Sequence, residues 1–500
     1  MSHHKLLILK GMDFSGNLSC LSNDLRYVEW ERYPFKCLPS SFEPCQLVEL
    51  ILRHSSIKYL WKDKKYLFNL RTLDMSYSKN LRKMPNFEGV RNLERLSFEG
   101  CVKLVQIDPT IGVLRKLVFL NLKDCKNLVS IPDNICLISL ECLNLSGCRK
   151  LFNLRHSSIS ENASHSQSTM SSILKWTKFR FHSFKPSAHK YLASCLLDSL
   201  LQLSCLHKLD ISFCGLSQLP NVIGCLRLLE ELNLGGNNFV TLPSMCDLSK
   251  LVYLNLEHCK MLEYLPRLPF PMTISHDLRI NDIDMTDFWR RVGLIIFNCP
   301  KLGENESCSS MAFSWMTQLI HARQQSSTAS FHEIIDIVIP GSEIPIWFDN
   351  KSDGDSIRMD LSPIIHDNGN YFGGIACCAV FSVAPVDPIT ATDARRPDIE
   401  LCISNSKTNL RWYAIIPVIL ERRLIEVKSD HICLIYFPIE SFFHILKWID
   451  VTLSHLDDFK MKVRTKNGEC INLEVQNCGY HWVYKQDHAT LQKLLFGNGR

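Results

Sequence analysis

Leu93-Glu-Arg-Leu96-Ser-Phe98-Glu-Gly-Cys101 is answered 24 residues on by Leu117-Val-Phe-Leu120-Asn-Leu122-Lys-Asp-Cys125, and 23 residues later by Leu140-Glu-Cys-Leu143-Asn-Leu145-Ser-Gly-Cys148. Outward from these three blocks, the same L-x-x-L-x-L order begins again at Leu25, Leu47, Leu70, Leu206, Leu229 and Leu251. In chain order the starts are separated by 22, 23, 23, 24, 23, 66, 23 and 22 residues. A period of about 20–29 residues with this pattern marks a leucine-rich-repeat solenoid of the α/β class, in which each coil lays down one short strand and cannot bury its leucines alone. Such stacks present an extended concave surface, so the chain reads first as a binder.

Two further blocks are partial. Leu7 and Leu9 match only the second half of the pattern, and Leu294-Ile-Ile-Phe-Asn298-Cys299-Pro-Lys-Leu302 keeps its ending. Terminal repeats are expected to be atypical, although the first looks cut rather than capped. The expectation is therefore a solenoid of about ten or eleven coils over residues 1–303, with strands ~4.8 Å apart and a concave sheet about 50 Å long. Between Leu151 and Leu206 the 66-residue step exceeds two periods of 23 by about 20 residues. The serine-rich run from Ser157 to Ser172 reads as an excursion within about 152–200. Lys175-Trp-Thr-Lys-Phe-Arg-Phe-His182 mixes basic and aromatic residues as single-strand nucleic-acid binders do, but a packed loop explains it more simply.

Three residues past each third leucine stand Ser55, Ser78, Cys101, Cys125, Cys148, Cys214, Asn237 and Cys259. The general repeat has Asn or Cys there, where the chain leaves the strand and turns inward. Cysteine behaves as a small hydrophobe with a weak S–H donor, so this column of thiols reads as structural. The chain holds 22 cysteines, yet no C-x-x-C pair or Cys/His spacing suited to zinc. Leu38-Pro39, Met84-Pro85, Ile131-Pro132, Leu219-Pro220, Leu242-Pro243 and Leu265-Pro266 place prolines on the irregular side of the coil, where no ladder N–H is needed.

After residue 303 the repeat is lost. Polar residues dominate 304–330, which reads as a linker. From 331 to 486 the period becomes two. Ile357, Met359 and Leu361 alternate with Arg358 and Asp360, and Phe459, Met461, Val463 and Thr465 alternate with four basic residues. Asn467-Gly468 is the favoured two-residue hairpin turn, and Ile471, Leu473 and Val475 resume the alternation. An antiparallel β-sandwich, jelly-roll or Ig-like, is expected, with Gly374–Val383 as a central strand and 487–500 as a tail.

Composition sets limits on function. With 56 basic and 51 acidic residues the net charge is +5, which gives no nucleic-acid footprint. Four apolar residues before Lys10 fall short of a secretory core, and the apolar run near Gly373–Val386 is too short for a membrane helix. A soluble chain in the cytoplasm or nucleus is the expectation. There is no G-x-x-x-x-G-K-[ST], G-x-S-x-G or H-E-x-x-H. Asp349–Asp355 has loosely calcium-like spacing but lacks the closing bidentate glutamate. No catalytic, cofactor-binding or metal-ligating set is expected. Candidate binding residues are the varied positions of the strand face: Arg53, Arg71, Asp74, Glu94, Arg95, Glu99, Lys123, Glu141, His207, Lys208, Asp210, Glu230, Glu231, Tyr253 and Glu257. A surface of that span suits a protein partner.

Particular motifs carry a resemblance. Leu25-Arg-Tyr-Val-Glu-Trp30-Glu-Arg-Tyr33-Pro34-Phe-Lys-Cys-Leu38-Pro39-Ser40 resembles an early repeat of the plant TIR-type nucleotide-binding leucine-rich-repeat immune receptors, those akin to tobacco mosaic virus resistance protein N. Val338-Ile-Pro340-Gly341-Ser342-Glu343-Ile344-Pro345-Ile-Trp347-Phe348 is similar to the opening of that family's post-repeat domain, C-JID, and Asn477-Cys-Gly479-Tyr-His481-Trp-Val-Tyr484 to its last strand. The resemblance implies recognition of a pathogen effector protein by the repeats and the β-domain. The family's NAD-cleaving TIR domain and nucleotide-binding domain do not lie within these 500 residues, so no enzyme activity is carried over. Two other readings stay open: a regulatory fragment or decoy that binds a related full-length receptor, and a carbohydrate-active jelly roll.

Overall fold

In the computed structural model, residues 5–11, 16, 18–61, 64–132, 137–152, 203–271, 292–325, 334–361, 372–385, 398–405, 411–417, 427, 429–439, 459–466 and 471–485 are described. The serine-rich excursion, the basic-aromatic run at 175–182, the Asn467-Gly468 turn and the tail lie outside them.

Each leucine block forms one short strand. They run β1 (Leu6–Leu9), β2 (Tyr27–Trp30), β3 (Glu49–Ile51), β4 (Thr72–Asp74), β5 (Arg95–Ser97), β6 (Phe119–Asn121), β7 (Cys142–Asn144), β8 (Lys208–Asp210), β9 (Glu231–Asn233), β10 (Tyr253–Asn255) and β11 (Val292–Ile295), every one parallel to its neighbour. The middle leucines are in register from coil to coil: Leu50, Leu73, Leu96, Leu120, Leu143, Leu209, Leu232, Leu254 and Leu294. All of these are buried, and the first and third leucines around them face the same core. Strands β7 and β8 are direct partners, Leu143 opposite Leu209. No further strand of the stack intervenes between these two.

The sheet does not stop at the last coil. Strand β11 pairs in parallel with β12 (Ile335–Pro340), and the order continues through β18 (His431–Pro438), β15 (Phe372–Pro385), β20 (Ile471–Tyr484) and β13 (Asn350–Asp353), giving sixteen strands among the described residues. A second sheet holds β14 (Ser356–Arg358), β19 (Phe459–Lys466), β16 (Asp398–Asn405) and β17 (Arg411–Pro417). Met359, Leu401, Ile403, Met461 and Val463 share one core with Ile375, Phe381, Ile435 and Trp482 of the long sheet, and with Tyr253, Phe297 and Val338. The second sheet thus covers the outer face of the long sheet where the last coils meet the C-terminal domain. Gly374–Val383 lies within β15, between β18 and β20, with its residues to Phe381 buried.

Two sequence expectations are corrected. The stretch 304–330 is no plain linker: it contains α1 (Glu306–Gln325). Asn305 caps it by accepting the Ser307 N–H at 3.0 Å. Cys308, Ala312, Trp315, Met316, Leu319 and Ala322 are buried at helical spacing, diluted in sequence by the serines and glutamines of the outer face. Second, β19 and β20 do not form a hairpin. Strand β19 pairs with β14 and β16, whereas β20 pairs with β13 and β15. The chain crosses from one sheet to the other after Lys466. Period-two alternation is the same for a paired ribbon and for two strands facing across a core, so the pattern alone does not separate them.

Candidate functional site: the outer face of the repeat sheet

The strand face is held rigid by a donor column beneath it. The Cys101 thiol donates to the Met75 carbonyl at 3.2 Å, Cys125 to Phe98 at 3.2 Å, Cys148 to Leu122 at 3.1 Å, Cys214 to Leu145 at 3.2 Å and Cys299 to Leu256 at 3.1 Å. Each of these carbonyls also accepts a backbone N–H from its own coil, such as Ser78 N–H onto Met75 and Cys101 N–H onto Phe98. Ser78 and Asn237 fill the same position by donating to Leu52 and Ile211. Burial pushes the Cys101 and Cys259 thiols up to about 12, so they stay protonated and able to donate. Among the described residues the cysteines are free thiols.

Above that column the candidate residues are mostly committed to one another. Arg53 Nε donates to Asp74 Oδ2 at 2.6 Å, Arg71 to Glu94 at 2.7 Å, Lys123 lies 3.7 Å from Glu99, and Lys208 pairs with Glu231 at 2.8 Å. Asn121 donates to the free oxygen of Glu99, and Asn233 to Asp210. Burial holds the Asp210 carboxyl above its ordinary range, opposed by its hydrogen bonds from Ser212. The Arg95 guanidinium lies 5.2 Å from the Phe119 ring centroid, and His207 Nδ1 is 2.7 Å from the Cys205 carbonyl. Neighbouring coils are stitched together by these contacts along the face.

Exposure divides the set. Arg53 is exposed, and Arg71, Glu94, Arg95, Glu99, Lys123, His207, Asp210 and Glu231 are half-buried. Asp74, Glu141, Lys208, Glu230, Tyr253 and Glu257 are buried. Tyr253 is a core residue of the junction with the second sheet and offers no contact surface. Its placement as a surface residue from the repeat pattern is corrected: the outer face is covered where the last coils end. The longest accessible stretch runs from Arg53 to Lys123 beside β3–β6, with His207, Asp210 and Glu231 half-buried beyond it.

A column missed in the sequence flanks this part. Arg32, His54, Tyr77, Asp124, Phe213, His258 and Asn298 all have positive φ, between 53° and 60°, and Gly100, Gly147 and Gly236 follow at 66° to 74°. Each stands two residues past the third apolar residue of its block, where the strand turns down. His54 and Tyr77 stack with centroids 4.9 Å apart and planes at 9°, and both are exposed. The recurring Gly, Asn, Asp and His at one offset was the available signal, since these residues tolerate left-handed backbone best.

At the other end, the Pro340–Phe348 motif is structural. Trp347 meets Phe313 of α1 edge-on at 6.5 Å, lies 4.2 Å from Phe348 and 5.5 Å from His481, whose Nδ1 is 2.8 Å from Asp349 Oδ2. Asp355 pairs with Lys462 at 3.0 Å. Asp349 and Asp355 of the acidic loop thus face protein partners. No helix among the described residues is long and apolar enough to cross a membrane, and no group of three or more potential ligands that could hold a metal ion occurs among them.

Residues 339–489 match the C-JID domain. The chain is 28% identical over 479 residues to Disease resistance-like protein DSC1 of Arabidopsis thaliana, covering 77% of this chain and 38% of that protein. It is 26% identical over 495 residues to TMV resistance protein N of Nicotiana glutinosa, covering 79% and 42%. To Disease resistance-like protein CSA1 of Arabidopsis thaliana it is 27% identical over 527 residues, covering 95% and 43%. The chain thus spans about two fifths of the length of these relatives. Among solved structures, the functional domain of InlJ from Listeria monocytogenes, which includes a cysteine ladder, superposes with a TM-score of 0.30 at 17% identity over 52% of this chain and 45% of that one. A leucine-rich-repeat solenoid running into a C-JID domain, with relatives that align along most of its length, identifies this chain as similar to the C-terminal portion of the TIR-type nucleotide-binding leucine-rich-repeat disease resistance proteins.

Proposed function

We propose that this chain is the recognition portion of a plant immune receptor acting in the cytoplasm or nucleus, and that it binds a pathogen effector protein. The contact surface is the open, concave face of the repeat strands beside β3–β6, together with loops of the C-terminal sandwich. One observation carries the reading: a face of varied, half-exposed side chains is fixed on a parallel sheet that continues, without a break in hydrogen bonding, into the C-JID domain. Side chains already held by Arg53–Asp74 and Arg71–Glu94 pairing lose little freedom on association, which lowers the ordering cost of binding.

The test is a charge swap that keeps the pairing. Arg71→Glu combined with Glu94→Arg preserves one ion pair between the coils but inverts the local potential. Binding of candidate effectors is expected to weaken by at least about tenfold while the thermal midpoint moves by no more than about 2 °C. Unchanged affinity for every effector that binds the native chain would remove this face from the interface. Co-precipitation of the chain with a related full-length receptor, in the absence of any pathogen protein, would instead support a regulatory role between receptors.

A further inference from the structure

Loop residues of the early coils line an open cavity of about 460 Å³. Its walls include Tyr33, Phe35, Leu38 and Trp61, and Lys65 forms part of the lining. None of these residues comes from a strand, so the cavity is separate from the strand face. Its volume falls in the range of about 300–1,000 Å³ typical of small-molecule sites, which combine aromatic walls with a few convergent polar groups.

Lys65 is the unusual member. It is 6% exposed, although lysine is almost never buried without a full complement of partners. Its ammonium donates to the Ser40 carbonyl at 2.6 Å and to Glu43 Oε1 at 3.2 Å. Ser40, whose carbonyl takes that hydrogen bond, and Lys65 itself both line the cavity. An ammonium carries three donors, so one remains to be used. Glu43 is a weak counter-ion: its side chain is 68% exposed against 7% for Lys65, and water screens it. Trp61 and Phe35 contribute aromatic rings to the same lining, and Lys36, exposed there, adds positive potential.

We propose that this cavity binds a small amphipathic anion, an aromatic body bearing one carboxylate, with the ring system against Phe35 and Trp61 and the carboxylate on Lys65. A rigid ring loses less conformational freedom here than an acyl chain of equal volume. The inference does not depend on effector binding, because the two sites share no residue, and either stands if the other fails.

The 500-residue chain is titrated at pH 7 with 2-naphthoate and with 2-naphthamide, a neutral molecule of nearly the same shape, by ligand-observed saturation-transfer NMR. Naphthoate is expected to bind at least about tenfold more tightly than the amide. Lys65→Met should abolish that preference, and Leu18→Trp, which fills the cavity while keeping the lysine, should remove binding of both. Lys36→Ala should change the affinity less than about threefold, because that ammonium is solvated. Thermal melts by circular dichroism establish that each variant is folded. If Lys65→Met does not fold, the naphthoate-to-amide ratio in the native chain and the Leu18→Trp result decide the matter. Equal binding of the two probes, binding that survives Leu18→Trp, or no saturation transfer from naphthoate at about 5 mM would each overturn the proposal, leaving Lys65 as a staple between coils.

Discussion

His431 is fully buried on β18, with its Nε2 accepting the backbone N–H of Asn298 at 3.1 Å and its ring 4.5 Å from Phe297 and 5.6 Å from Phe381. Burial pushes its pKa down to about 4, helped slightly by His258. The folded protein therefore keeps it neutral, while the unfolded chain protonates it near the usual value of about 6.5. Above about pH 6.5 neither state binds the proton and the full stability is present. As pH falls from about 6.5 to about 4 the unfolded state takes up the proton alone, and stability drops by about 1.4 kcal/mol per unit. Urea titrations at pH 7 and pH 5 should differ by about 2 kcal/mol more in the native chain than in His431→Gln. An equal pH dependence in both proteins would mean that this imidazole is not the group responsible. A second residue-scale expectation concerns the left-handed column. At Gly236 φ is +66° and an added Cβ would lie 2.2 Å from the Phe213 ring, whereas Gly11, at φ +63°, has nothing within 4 Å. Gly11→Ala should cost about 1 kcal/mol from the backbone alone, and Gly236→Ala about 2–4 kcal/mol. Equal costs in chemical denaturation would show that Phe213 gives way freely.

Among the elements, the repeat strands were the most legible and α1 the least. A strand set by Leu93, Leu96 and Phe98 can be read directly, because the same three inward positions recur in coil after coil and a solenoid has few other ways to bury them. The helix was hidden by composition: Trp315 and Leu319 are surrounded by serine, threonine and glutamine, and a polar count outweighed the 3.6-residue spacing. Strand pairing in the C-terminal domain was legible only in part. Met461 and Leu473 fall on the apolar phase of the alternation and are buried, but which sheet each belongs to depends on contacts far apart in sequence. For the candidate surface, the pattern located the outward positions but not the cover over them. Tyr253 lies on a repeat strand like the others, yet a sheet built from residues more than a hundred positions later shares a core with it. The helix itself gives a clear expectation. Trp315 is 1% exposed and its indole donates to the Pro269 carbonyl at 3.0 Å, and Leu319 is 0% exposed. Leu319→Ala should cost about 2–5 kcal/mol by the cavity it leaves. A loss under about 1 kcal/mol would show that α1 is a surface appendage and not part of the repeat core.

At the scale of the whole molecule the decisive fact is continuity. A stack in which each coil touches only its neighbours should lose cooperativity at its weakest interface. The first coil is one weak point: Leu6 and Ile8 of β1 are 58% and 48% exposed, and Leu7 and Leu9 are only half-buried. The passage from solenoid to C-JID would be the other if the two were merely tethered. They are instead joined on both faces. Ile296 N–H donates to the Val338 carbonyl at 2.7 Å, Gly293 sits so close to Asp336 that a Cβ would be 1.7 Å from its carbonyl oxygen, and Phe297 is buried between His258, Phe381 and His431. Hydrogen exchange in the native state should accordingly show low protection at β1, high protection through β4–β6, and no dip at β11–β12, whose amides should exchange together with those of β18. Phe297→Ala should separate the two halves, converting one thermal transition into two, because it removes a ring shared by both and leaves the Asn298–His431 hydrogen bond without its apolar cover. A native chain that already melts in two steps, with β12 outlasting β11, would show that the sheet is continuous in geometry but not in energy.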